Sequence, residues 1–272
     1  MNLFNAITTA IFDVLLAPFG HGPAGFDLLV WPLLCGIVAL VIYKYASNQK
    51  GIEHAKDQIK MHLLEIRLWR HDLSIVVVAT AKILLKNSLY VGHNLLPMVI
   101  MIVPFMTVLV QIEANYAFAP AEPGTVELLH VTMADDAQVK PIEVKLELPD
   151  GVVLDAPPVR TPDGEIFWRL KAKTAGDHVL VLRAGDEVLE KGWAVGGKAR
   201  KVPIMRTRSW DALLYPGEAG IASGSSFYSA ELKYPARALP YLPDGELGVL
   251  LWFFGISLVA GFALKDVFGV TL

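Results

Sequence analysis

The stretch 82–111, KILLKNSLYVGHNLLPMVIMIVPFMTVLVQ, sets polar and apolar residues against each other at a single joint. Lys82, Lys86, Asn87, His93 and Asn94 occupy its first part; from Leu95 on, no side chain is charged, and Pro97 and Pro104 interrupt the run. Each proline removes a backbone hydrogen bond and kinks or loosens a helix. In hydrocarbon the freed carbonyl needs another partner or water. A polar joint of this kind is cheap beside a hydrated groove and costly against acyl chains, so its chemistry is that of hydration, not of bond making. An interfacial snorkelling role accounts for His93 more simply than catalysis does. Elsewhere Asp135 and Asp136 adjoin each other in an expected turn, and His130 and His178 have no evident ligand partners. No GxxxxGK[ST], GxGxxG or HExxH pattern is present. The sequence therefore predicts no catalytic set, no metal, no cofactor and no enzyme.

The elements that hold this joint follow from composition. Of 272 residues, 54 % are hydrophobic, high for a soluble chain. Runs of about 18 apolar residues, the length that crosses hydrocarbon as a helix, occur at Phe26–Tyr43 and Leu247–Leu264, and Leu95–Val110 supplies a third. The expected class is a membrane α-helical protein with three transmembrane helices. A single cysteine, Cys35, excludes an intrachain disulfide, and the net charge of −3 gives no argument for nucleic-acid binding. The first 25 residues lack Lys and Arg, unlike a signal peptide. Leu3, Phe4, Ile7, Ala10, Ile11, Val14 and Leu15 recur at helical spacing, with Asn2, Asn5, Thr9 and Asp13 between them. That pattern predicts an interfacial amphipathic helix within 1–25, ended at Pro18, or else an extension without a role of its own.

Basic residues give the orientation. Lys44, Lys50, Lys56, Lys60, Arg67, Arg70, Lys82 and Lys86 lie between the first two runs, a loop short enough for the positive-inside rule. The expected topology is a multi-pass protein of the plasma (inner) membrane with the N-terminus outside: spans at 26–45, 94–112 and 247–265, a cytoplasmic segment at 46–93, and a cytoplasmic tail at 266–272. The segment 46–93 reads as a helical hairpin. Ile52, Ala55, Ile59, Leu63 and Ile66 follow a coiled-coil seam, Asp72 caps a second helix bearing Ile75, Ala79 and Ile83 on one face, and Leu68, Trp69 and Leu73 fall near the tip. Such a hairpin either stiffens the loop or serves as a mobile docking arm through Lys56, Lys60, Arg67, Arg70, Lys82 and Lys86.

The segment 113–200 changes period. PIEVKLELPDG, GEIFWRLKA and HVLVLRAGDEVLEKGWAV alternate apolar and polar residues, with turns at Pro149-Asp150-Gly151 and Ala184-Gly185-Asp186. This predicts an extracytoplasmic, immunoglobulin-like β-sandwich of roughly 85 residues without a disulfide. From 201 to 246, prolines and aromatic residues predict an outer interfacial segment leading back to the membrane.

A span, a basic helical hairpin and a second span opening with NLLPMVIMIVP resemble the YidC/Oxa/Alb superfamily of membrane protein insertases, and in particular its three-span branch: archaeal YidC-like proteins and the insertase subunit of the endoplasmic reticulum membrane complex. The resemblance covers about residues 26–112 and, more weakly, 245–272. It implies a bundle with a hydrophilic groove open to the cytoplasm and to lipid, for which Asn94, Thr107, Gln111 and Ser257 are the available polar residues, with Lys44 and Lys86 at the inner mouth. Such a groove lowers a transfer cost of at least about 2.5–3.5 kcal/mol for a charge at mid-bilayer. Two departures stand out: the first span carries no arginine, and a β-domain replaces the usual short connection between spans two and three.

The function expected from the resemblance is an insertase or intramembrane chaperone acting on nascent membrane-protein clients, with lipids and possible ribosome contact at the arm. A different class is an anchored subunit of an envelope complex whose β-sandwich binds a protein partner outside. A transporter accessory subunit is weaker, since no intramembrane acid or base is available to couple ions.

Overall fold

A computed structural model describes residues 2–16, 27–134, 143–197, 200–208, 210–239 and 242–270. Pro18 and the loop after it, Asp135, Asp136, Ile142 and the last two residues of the expected tail lie outside the described residues. The chain divides into two compact units, one of residues 29–107 with 253–272, the other of residues 1–28 with 108–252.

Five α-helices are present among the described residues: α1 (Asn2–Leu16), α2 (Asp27–Ala46), α3 (Gln49–Leu68), α4 (Leu73–Tyr116) and α5 (Glu246–Phe268). Of these, α2, α4 and α5 are long and apolar enough to cross a membrane, the pattern of a multi-pass membrane protein. At α3 the Asn48 side chain accepts from Gly51 N at 3.0 Å. At α4 Asp72 Oδ1 accepts from Ser74 N and Ile75 N at 3.0 and 3.4 Å, as the capping pattern predicts.

The second arm helix and the second span, expected as two elements, are one helix of 44 residues. At about 1.5 Å per residue it is roughly 66 Å long, twice the hydrocarbon thickness. Neither Pro97 nor Pro104 breaks it. The first lies buried; one turn beyond the second, Thr107 Oγ1 donates back to Val103 O at 2.8 Å.

The arm seam also departs from expectation at one position. Ile52, Ala55 and Ala79 are buried, but the inward residue of the fourth turn is His62, while Leu63 is exposed. The inward positions 52, 55, 59, 62 and 66 alternate strictly in steps of three and four, the spacing of a heptad seam; Leu63 stands one residue out of that register.

Where arm and spans meet, Leu40, Tyr43, Ile52 and Val270 form a buried cluster with Tyr90, Met101, Leu264 and Phe268 packed against it. Helices α2 and α5 touch at Gly36, where an added Cβ would lie 2.7 Å from Ser257 O and 2.9 Å from Ala260 Cβ. Phe105 of α4 meets Phe253 of α5 edge-on, their ring centroids 5.7 Å apart. Gly269 ends α5 with φ +63°, and Val270 N returns to Lys265 O at 2.9 Å, a left-handed cap that glycine adopts without a Cβ clash.

Among its described residues the other unit contains eight strands: β1 (Val126–Met133), β2 (Val144–Glu147), β3 (Val152–Arg160), β4 (Glu165–Ala172), β5 (Gly176–Ala184), β6 (Glu187–Val195), β7 (Met205–Thr207) and β8 (Phe227–Leu232). They form two sheets, β3-β4-β1-β8-β7 and β2-β5-β6, with antiparallel pairing throughout. The two sheets contribute to one core, in which Leu129, Leu170, Phe227 and Leu232 of the larger join Leu180, Leu182, Leu189 and Trp193 of the smaller. The expected hairpin at Ala184-Gly185-Asp186 is present: Ala184 pairs with Glu187, and Gly185 takes φ +60°.

The segment 201–246, expected as an irregular lead-in to the third span, contains regular elements: β7, β8 and a 3-10 helix at Trp210–Leu213, and β8 lies between β1 and β7. The inward residues of FYSAEL include Ser229 and Ala230 as well as Phe227 and Leu232, so half of its buried side chains give no hydrophobic signal.

Strand β6 is an edge whose free side is covered. Arg206 Nη1 donates to Glu190 O at 2.6 Å, Gly192 N to Glu218 Oε1 at 2.6 Å and Ala194 N to the Tyr234 hydroxyl at 3.0 Å. Ala121 N completes the row on Ala194 O at 3.0 Å. Capping of this kind stops a sheet edge from recruiting another strand.

Candidate functional site

The four polar residues singled out in the spans are not gathered at one place. In the helical unit Asn94 accepts a hydrogen bond from the Tyr43 hydroxyl and donates through Nδ2 to Tyr90 O at 2.6 Å. The Tyr43 contact joins α2 to α4 beside the buried cluster around Leu40. Ser257, buried against α2, donates to Phe254 O at 3.2 Å, and Thr107 back-bonds within its own helix. All three satisfy their polar atoms internally, as hydrocarbon requires.

Gln111 belongs to the other unit, about five helical turns along α4 from Asn94. Buried itself, it donates to Thr9 Oγ1 at 3.2 Å and Thr8 Oγ1 at 3.5 Å, and its Oε1 accepts from Lys201 Nζ at 3.3 Å. Lys201 also reaches Asp13 Oδ1 at 3.1 Å. One residue further on the polar face, Asn5 donates to Ala212 O at 2.5 Å. This polar cluster was missed in the sequence, where Asn5, Thr9 and Asp13 read as interruptions of an apolar helix. Their spacing of four residues was the available signal: it marks one helix face.

The arm's six cations are spread along it. Lys56 Nζ lies 5.6 Å from the Tyr90 ring centroid, and Lys60 pairs with Asp57 at 3.4 Å on the exposed surface. Arg67 and Arg70 stand at the tip, where Arg70 Nε donates to His71 Nε2 at 3.3 Å. Beside them Leu68, Trp69 and Leu73 are exposed, so the tip joins positive charge to apolar surface. Lys82 is exposed and Lys86 half-buried on α4. The Ser74 hydroxyl and the Ile75 amide hold the Asp72 carboxyl below its ordinary range, which keeps the cap charged at the start of α4.

In the β-domain His130 stacks on Phe167 with centroids 4.5 Å apart, its Nε2 3.5 Å from Glu165 and its Nδ1 3.9 Å from Glu231. The strand order supplies these neighbours, which the sequence does not show. His178 Nε2 donates to Thr174 O, 2.9 Å away. Among the described residues no group of three or more His, Cys, Asp or Glu is arranged to hold a metal ion.

Among the described residues the most deeply buried ionisable group is Lys191, with no exposed surface. It donates to Pro203 O at 2.5 Å and pairs with Glu218. Burial pushes the Lys191 ammonium below its ordinary range, and Glu218 opposes that shift. Its partners are all structural, so this is a folded-core ion pair and not a poised nucleophile.

Comparison of the chain with protein-family models, curated proteins and solved structures gives no match.

Proposed function

We propose that this chain is a non-enzymatic membrane-protein insertase or intramembrane chaperone with the layout of the YidC/Oxa/Alb superfamily. The observation that carries the reading is α4 itself. A single helix joins an arm with cations and exposed apolar side chains at its tip to a proline-bearing span, and Asn94 stands at the junction. In this reading the arm faces the cytoplasm and meets nascent clients or the ribosome, with no cofactor. The β-domain is an immunoglobulin-like sandwich on the outer side of the inner membrane. A client's polar flank descends along the Asn94 face of α4, where partial hydration lowers its transfer cost.

The test is depletion of the protein, followed by insertion of small clients with short charged translocated tails. Insertion reduced several-fold supports the reading; unchanged insertion removes it. Cysteine scanning from Asn94 to Gln111, with Cys35 replaced, locates the hydrated face.

A second reading has its own support: an anchored subunit of an envelope complex, binding a partner through the β-domain. Gly36 brings α2 and α5 into close contact, and the cluster around Tyr43 fills the junction of arm and spans. A stoichiometric partner that is lost on deleting 125–197 favours this anchor.

A further inference from the structure

Helix α1 is amphipathic in the reverse of the usual sense. Asn5 is buried on Ala212 O, Thr8 and Thr9 receive Gln111, and Asp13 receives Lys201. Its polar face is therefore committed to the protein. The opposite face carries Leu3, Phe4, Ile7, Ile11, Val14 and Leu15, each between 40 and 74 % exposed. The 3-10 helix that offers Ala212 O also leaves Trp210 74 % exposed, with Leu214 beside it 48 % exposed. An apolar surface of this size is costly in water, and on this face of α1 no polar side chain meets it; Asp13, itself partly exposed, lies on the other face.

We propose that the outer face of α1, with Trp210 and Leu214, is embedded in the acyl-chain region of the bilayer leaflet next to the β-domain. Lipid acyl chains are the fitting occupant for two reasons. The contact partner Gln111 lies on α4, a helix long and apolar enough to cross a membrane, so α1 is tied to the end of a candidate span. Besides, the exposed face presents no charge or hydrogen-bonding group to a protein partner, whereas tryptophan at its rim suits the bilayer interface. Embedded this way, α1 pins the β-domain to the membrane by the polar cluster of Asp13, Lys201 and Gln111. The inference requires only that the chain is a membrane protein and is independent of the insertase reading.

The test uses the full chain with Cys35→Ser, reconstituted in vesicles of phosphatidylethanolamine and phosphatidylglycerol. Single cysteines replace Ile7, Ile11 or Val14, or Thr9 as the inward control, and carry an environment-sensitive fluorophore. Doxyl-labelled lipid is expected to quench the three outward positions at least about threefold more than Thr9, with little quenching by aqueous iodide. Quenching by iodide at Ile7, Ile11 and Val14 would place that face in water and overturn the proposal. Energy transfer between labelled copies would assign the face to a second chain, and shielding from both quenchers would assign it to another protein; either result overturns it too. As a check on the fold, labelled variants must retain the wild-type unfolding midpoint.

Discussion

The Tyr43 hydroxyl donates to the Asn94 carboxamide across the α2–α4 contact, one turn from the Asn94 bond to Tyr90 O. Hydrogen bonds between membrane helices contribute about 0.6 kcal/mol on average and at most about 1.7 kcal/mol. A double-mutant cycle of Tyr43→Phe and Asn94→Leu, read by unfolding in mixed micelles, should return a coupling in this range. If the insertase reading holds, Asn94→Leu also slows insertion of clients with charged tails, whereas Tyr43→Phe affects stability alone. Equal insertion by the Asn94 variant and wild type would remove Asn94 from the client path.

The arm seam predicts opposite outcomes for two neighbouring types of position. Ile52 is fully buried in the cluster at the arm's base, and Ile52→Ala should cost about 2–5 kcal/mol. Leu63 is exposed, so Leu63→Lys should stay within about 0.5 kcal/mol of wild type. Thermal unfolding followed by circular dichroism distinguishes the two. A large loss for Leu63→Lys would put Leu63 in the seam and refute the His62 assignment.

Gly36 gives a separate measure of how tightly the spans pack. A methyl there would sit 2.7 Å from the Ser257 carbonyl oxygen, a backbone atom that cannot swing away. Gly36→Ala should therefore destabilise the helical unit by about 1–3 kcal/mol through overpacking. A disulfide or spectroscopic ruler between α2 and α5 should report their separation. If Gly36→Ala is neutral and the ruler unchanged, the helices stand apart and the contact is absent in the bilayer.

In the β-domain the Lys191–Glu218 pair should behave asymmetrically. Glu218→Ala leaves the fully buried ammonium without its counter-charge and the Gly192 amide without its acceptor, a loss of about 3–5 kcal/mol. Lys191→Met combined with Glu218→Gln removes both charges, keeps an acceptor for the Gly192 amide, and should cost far less than Glu218→Ala, since replacing a buried pair as a whole is often neutral or stabilising. Denaturant titration of the full chain, followed through the buried Trp168 and Trp193, compares them. Equal losses from both variants would show that the pair is a net stabiliser of the core.

The spans, the arm helices and the Asp72 cap were legible because each has a local cause. Length and apolar composition mark α2, α4 and α5; Asp72 caps α4 through bonds to residues two and three positions on. What was hidden depends on distant partners. Strand β8 sits mid-sheet on small residues such as Ser229 and Ala230, so its burial is set by β1 and β7, not by its own period. The same holds for the candidate site. Asn94 was visible as a polar residue in an apolar run, but its tie to Tyr43 comes from helix packing. Gln111 was visible too, yet its partner Lys201 is reached only through the β-domain's fold.

Tyr234 supplies the pH prediction. Its hydroxyl oxygen accepts from Ala194 N on the covered edge of β6, and burial, its largest influence, holds the phenol well above its ordinary range, against a smaller downward pull from the Ala194 amide. A phenol whose folded value exceeds its unfolded value of about 10 binds more protons folded than unfolded above that pH. Its stabilising contribution is complete below pH 10 and is lost as pH rises through the folded value, with a slope of up to about 1.4 kcal/mol per pH unit. Tyr234→Phe strands the Ala194 amide and should cost about 1–3 kcal/mol at neutral pH. Tyr215, also raised chiefly by burial, is present in both proteins and cancels in the difference. The wild-type advantage should therefore be constant from pH 7 to 10 and shrink above it. A difference that stays flat to the alkaline unfolding limit would show that the phenol ionises freely, and that the Ala194 contact does not hold it in the core.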